Sequence, residues 1–282
     1  FFGEAAEQEN WKGKLLLDAC HSRRVSRARC ICTRRSSGGH EIIRMETALA
    51  INSQWVKYAA RVDGRDKLCR VTAYGSEFVL WLFSISGNDA LIRWMKQVKN
   101  VKTGVGMARK CFRVAAPLKD LDAVAHLKDK GTQGTMKVIL HTFNAIYYFI
   151  DHIELLSIFQ ILPYKAPEVK VVRYRFWIIK TFMNIALAFM ALEKAKAAYK
   201  KAMKETPSDE STVSAAKRNL YKARLQVVVA LTDIPVMIHN TTAWGKGKVP
   251  AHWMGLSGAI GSMISCRLIW MEVGSQMKLK AA

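Results

Sequence analysis

Between Met107 and Ala125, apolar side chains recur at Met107, Cys111, Val114, Leu118, Leu121 and Ala125. Steps of three and four residues place them on one face of a helix, because 3.6 residues close a turn. Arg109, Lys110 and Arg113 fall on the opposite face. A helix divided in this way either closes a protein core or lies in the headgroup region of an anionic membrane. Pro117 sits inside the pattern, and an interior proline costs a helix about 3 kcal/mol. The stretch is therefore expected as a kinked helix or as two short ones.

Charge bears on the choice between core and membrane. Lys and Arg outnumber Asp and Glu by 44 to 22, a formal net charge of +22, while half of the 282 residues are hydrophobic. Such a balance suits an anionic partner: nucleic acid, a phospholipid surface or an acidic protein. There is no zinc-finger spacing, RNP-type strand motif or heptad repeat behind a basic region, so nucleic acid is the weaker candidate. The apolar runs favour an anionic phospholipid membrane. Six cysteines, at 20, 30, 32, 69, 111 and 266, form neither CxxC pairs nor matched sets. Neither a metal site nor a disulfide framework is indicated.

Residues 1–44 read as a leader. Arg23, Arg24, Arg27, Arg29, Arg34 and Arg35 cluster there without apolar periodicity. An Arg- and Ser-rich segment could be a transit peptide, but Glu4, Glu7 and Glu9 oppose that reading. The simpler expectation is a native start at Met45, with the leader dispensable.

Residues 45–130 read as an amphipathic helical region. A helix is expected from Glu46 to Arg61. Asp63 is placed to cap a second, with Asp66 in its first turn, where negative charge suits the helix dipole. Ser86-Gly87-Asn88-Asp89 ends that helix. A third, from Ala90 to Val101, precedes Gly104 and Gly106.

Gly64-Arg65-Asp66-Lys67-Leu68-Cys69-Arg70 followed by Tyr74-Gly75 resembles the N-terminal signature of the peroxin-11 family, the peroxisomal membrane-elongation proteins. Ala108-Arg109-Lys110 with Arg113 is similar to that family's second block, its membrane-remodelling amphipathic helix. Tyr147-Tyr148, Asp151 and Leu155 resemble its middle block. Leu231, Asp233, Pro235 and Gly255-Leu256 resemble its C-terminal blocks. The resemblance covers roughly residues 47–272. Pro117 departs from a straight remodelling helix.

Residues 131–282 read as membrane-embedded. Met136 to Leu162 is long and mainly apolar but carries His141, Asp151, His152 and Glu154. A metal site is one reading of these four; interhelical bonds are the commoner one. After Pro163 and Pro167, Arg173 to Trp177 leads into an apolar run that reaches Leu192, short for a span. A basic helical hairpin is expected near residues 193–224, its second arm started by Thr206-Pro207-Ser208-Asp209. Val249 to Val273 is the best spanning candidate, and Gly255, Gly258 and Gly261 let another helix approach closely in lipid.

The expected fold is thus all-α: a membrane-associated helical bundle with amphipathic N-terminal helices and one or two C-terminal membrane-embedded hairpins. No GxSxG, phosphate-binding glycine loop or HExxH motif appears, so no enzyme and no cofactor is indicated. Met107, Cys111, Val114, Leu118 and Leu121 are the expected membrane-inserting residues. Arg65, Lys67, Arg70, Arg109, Lys110 and Arg113 are the expected lipid-headgroup contacts, and the three glycines the helix-packing ones. The resemblance implies a peroxisomal or glycosomal membrane protein that curves and elongates the membrane before fission, with a mitochondrial membrane as the alternative address. It further implies a homo-oligomer and recruitment of dynamin-type fission machinery. Two rivals stand beside it: a metabolite channel lined by Lys180, Asp151 and Glu154, and a structural subunit of a larger membrane complex.

Overall fold

A computed structural model describes residues 39–129, 131–205, 209–241 and 247–281. Among them every regular element is a helix: α1 (Gly39–Ala60), α2 (Val62–Ile85), α3 (Asp89–Phe112), α4 (Ala116–Ala125), α5 (Thr132–Ile158), α6 (Ala166–Glu205), α7 (Glu210–Thr241) and α8 (Ala251–Ala281). The chain divides into two units, Phe1–Val56 and Lys57–Ala282. In the first, residues 39–56 are helical, and Leu49, Ile51 and Val56 are exposed. Residues 1–38 of the leader lie outside the described residues.

Helix ends follow local chemistry, with two departures from the sequence reading. Asp63 does not cap α2; it lies inside the first turn and pairs with Arg61 at 2.8 Å, while Arg61 takes the cap position without a side-chain capping bond. α3 does not stop at Val101 but continues through Gly104 and Gly106 to Phe112. A helical glycine costs only about 1 kcal/mol, which the neighbouring turns can offset. The turn before α3 uses Gly87 at φ 63°, and Asn88 caps the helix by accepting from the Ala90 N–H at 2.9 Å.

Pro117 behaves as its chemistry requires. α3 ends at Phe112, a turn follows, and Pro117 falls in the first turn of α4, where its missing N–H is not needed. The periodic stretch is two helices. Pro167 has the same role at the start of α6. At the start of α7, Asp209 caps by accepting from the Ser211 and Thr212 N–H groups at 3.1 and 3.3 Å. Thr206, Pro207 and Ser208, expected to start this helix, lie outside the described residues.

In the second unit the helices form a ring. α3 packs on α2, α2 on α8, α8 on α7, α7 on α6 and α6 on α5; a smaller contact of α5 with α3 closes the circuit, and α4 packs on α5. The apolar core is accordingly divided. One cluster gathers Trp177, Val236, Met237 and Met254; another gathers Tyr58, Ile269 and Val273. α6 and α8 are long and apolar enough to cross a membrane, with mean hydropathy of 1.5 and 1.2 over their best 18 residues.

Candidate functional site

The ring encloses a polar axis. Its hub is Asp66 on α2, whose carboxylate accepts from Arg113 at 2.7 and 3.2 Å and from Arg109 at 3.3 Å. Burial pushes this carboxyl up, but Arg113 and Arg109 outweigh it and hold it well below the usual range. Arg113 also reaches Asp151 at 3.7 Å, and Asp151 is wholly buried on α5. Asp151 and Glu154 share two further cations. Lys110 sits 3.3 and 3.0 Å from them, and Arg173 of α6 pairs with both. Four helices are thus joined through three carboxylates.

Aromatic rings cradle these cations. Arg113 lies over Tyr148 at 5.5 Å, Arg173 over Tyr147 and Tyr174 at 5.6 and 5.1 Å, and Lys180 over Tyr147 and Tyr148 at 4.7 and 5.0 Å. A quadrupolar ring face is a partial substitute for water around a buried cation. The cavity between these groups measures about 340 Å³.

Of the six expected headgroup cations, four pair with carboxylates within the bundle. Arg109, Lys110 and Arg113 keep only 13–15 % of their side chains exposed and face carboxylates. Arg70 pairs with Asp233 of α7 and lies over Tyr74 at 5.3 Å. Arg65 is exposed and lies over Phe112 at 5.1 Å. Lys67, half-buried, lines the cavity. The apolar set points outward: Val114, Leu118 and Leu121 are 63, 69 and 53 % exposed, Cys111 is exposed and Met107 is half-buried. His141 bonds Asp120 of α4 at 2.7 Å, an interhelical contact that holds α4 against α5.

The glycines of α8 are consumed inside the chain. A Cβ on Gly258 would stand 2.6 Å from the Tyr74 ring, and one on Gly255 would stand 2.9 Å from the Glu77 Cβ; Gly261 faces Thr232 of α7. Self-association, if it uses helix packing, has to use another face. Asp66, Arg173 and the tyrosine cradle were missed as a unit by the sequence reading. The available signal was charge inside apolar helices, at Asp151, Glu154 and Lys180.

The chain matches the model of the family described as peroxisomal biogenesis factor 11 over residues 52–270. It is 25 % identical over 248 residues to peroxisomal membrane protein 11E of Arabidopsis thaliana, covering 85 % of this chain and 97 % of that one. Peroxisomal membrane protein 11-3 of Oryza sativa subsp. japonica is 23 % identical over 219 residues, 76 % of this chain and 86 % of its own. Peroxisomal membrane protein 11-4 of Oryza sativa subsp. indica is 30 % identical over 102 residues, 36 and 43 % of the two chains. No solved structure matches. With the family model spanning most of its length, this chain belongs to the peroxisomal biogenesis factor 11 family and is a peroxisomal membrane protein.

Proposed function

We propose that this peroxisomal membrane biogenesis factor elongates the membrane by seating the uncovered face of α4 in one leaflet. The observation that carries this reading is the exposure of Val114, Leu118 and Leu121. Burying each such side chain contributes about 1.5–3 kcal/mol. Lys119 and Lys128 are exposed close by in sequence, and a cation near an anionic surface adds about 1 kcal/mol. Material wedged into one leaflet expands it and favours curvature.

Val114→Asp with Leu118→Asp tests the reading in the full chain. Both positions are exposed, so folding and targeting should persist, while organelle elongation and tubulation of anionic liposomes are lost. Elongation at the wild-type level in that variant would refute the mechanism.

A pore is a second reading, favoured by one feature: Asp151 and Lys180, from different helices, line the same axial cavity. It predicts planar-bilayer conductance that changes with Lys180→Gln. Identical conductance in the variant, or none in the wild type, counts against it.

A further inference from the structure

The axis carries more positive charge than its own carboxylates can balance. Nine Lys and Arg side chains line the cavity, against three carboxylates, Asp66, Glu77 and Asp151. Glu154 and Asp233 pair with wall cations from behind; with Lys170 set aside, eight cations face five carboxylates, which leaves three positive charges over. The excess can be located. Among the described residues, neither Lys67 nor Lys180 has a carboxylate within ion-pair distance.

A second cavity, of about 550 Å³, shares Lys67, Arg70, Trp177 and Lys180 with the first. Its far wall is mixed, with Leu140, Leu187, Val229 and Leu268 beside Gln133, Lys137, Asn184, Gln226 and Asp233. Lys67 and Lys180 therefore stand between a strongly cationic compartment and one with apolar side chains in its wall. Both volumes fall in the usual range for small-ligand sites, about 300–1,000 Å³.

We propose that the axial cavity binds an anion carrying phosphate groups, with Lys67 and Lys180 as its contacts. Phosphate suits this set because its oxygens accept several ammonium donors at once. More than one phosphate charge is needed to balance the wall. The ligand is a soluble polyphosphate held in the first cavity alone, or a phospholipid headgroup whose chain lies in the second. This is separate from insertion of α4, which uses none of these residues.

The experiment is titration calorimetry on the full chain in phosphatidylcholine nanodiscs. The probes are inositol trisphosphate and dioctanoyl phosphatidylinositol bisphosphate. Both should bind saturably, and Lys67→Gln with Lys180→Gln should weaken both by about a hundredfold, two charge-assisted bonds having been removed. Neither lysine has an acidic partner to orphan, so the double variant should fold; Lys67→Arg, which keeps the charge, should bind within a few-fold of wild type. Ala188→Trp fills the second cavity. If it lowers the affinity of the lipid but not of the trisphosphate, the site holds a headgroup with its chain; if both are unchanged, the soluble anion alone is the ligand. Val114→Asp with Leu118→Asp should leave trisphosphate binding intact, which separates this proposal from the curvature mechanism. Absence of saturable binding by either probe, or wild-type binding by Lys67→Gln with Lys180→Gln, overturns it.

Discussion

α5 and α8 belong to the same ring and are held in it by opposite means. α8 presents Gly255 and Gly258 to α2, so close that a Cβ would not fit, and its Ser262 and Ser265 hydroxyls donate back to the Gly258 and Gly261 carbonyls. Charge enters this seam at its end, where Arg61 at the start of α2 pairs with Glu272 of α8 at 3.0 Å. α5 presents Asp151 and Glu154, both buried and each shared between cations of two other helices. The seam gains from contact and cannot be opened gradually. The axis is joined through ion pairs and has a cavity beside it. The ring is therefore held by close packing on one side and by buried ion pairs on the other.

The sharpest way to break this contrast is at Arg173. Arg173→Ala leaves Asp151 and Glu154 buried with Lys110 and a distant Arg113, and removing one partner of a buried ion cluster costs about 3–5 kcal/mol. Unfolding by detergent titration, followed by circular dichroism, should show that loss. A cost below about 1 kcal/mol would mean water reaches these carboxylates freely and the axis is not structural. On the seam, Gly258→Leu should cost less, about 1–3 kcal/mol, the usual range for overpacking. Gly255→Leu should exceed it, because Gly255 meets the α2 backbone at the Phe78 nitrogen, 3.0 Å away, and backbone cannot swing aside as the Tyr74 ring can. Equal costs would place the strain in the side chains.

The two regions also differed in how far the sequence disclosed them. The seam was legible as a place of close packing, because small residues three apart on one helix announce it without knowledge of the partner. Its partner was not legible; α2 lies far away in sequence, and the glycines looked equally suited to another chain. The periodic stretch divided in the same way. Val114, Leu118 and Leu121 follow local spacing, and their outward placement matches it. Arg109, Lys110 and Arg113 looked like headgroup contacts because their acceptors, Asp66 and Asp151, lie about forty residues away on either side. Helical periodicity records which side chains share a face; it carries no information on what that face meets. Gly104 and Gly106 misled for a related reason, since a glycine weakens a helix without ending it.

A smaller effect should distinguish the axis by its pH response. Burial, with Arg70 beside it, lowers the Lys67 ammonium from 10.5 to about 8. A base with a depressed folded pKa binds fewer protons in the folded than in the unfolded state between those values. Its contribution to stability therefore rises as pH climbs from about 8 to 10.5, and is least favourable below 8. Measured against Lys67→Met to remove other titrations, the wild type should gain on the variant across that window. A flat difference would show Lys67 to be solvated. Gly258→Leu, which touches no titrating group on the axis other than Tyr74, should shift stability equally at every pH below the window.

The smallest expected effect tests whether the seam leans on polar bonds as the axis leans on charge. Ser262 is wholly buried and Ser265 nearly so, yet each hydroxyl bonds only within α8, at 2.6 and 2.8 Å. Such a bond returns to a carbonyl already engaged in the helix, so it satisfies the hydroxyl without joining two helices. Ser262→Ala removes donor and polar atom together and leaves no orphan, because the Gly258 carbonyl keeps its helical partner. The change should therefore lie within about 1 kcal/mol of zero, the net worth of one ordinary hydrogen bond. Ser257 is the internal control. Its hydroxyl donates to the Thr232 carbonyl of α7 at 2.7 Å, so Ser257→Ala severs a link between helices and should cost more than Ser262→Ala. If Ser262→Ala proves the costlier of the two, the seam is held by polar bonds as the axis is, and the division between a packed seam and a charged axis fails.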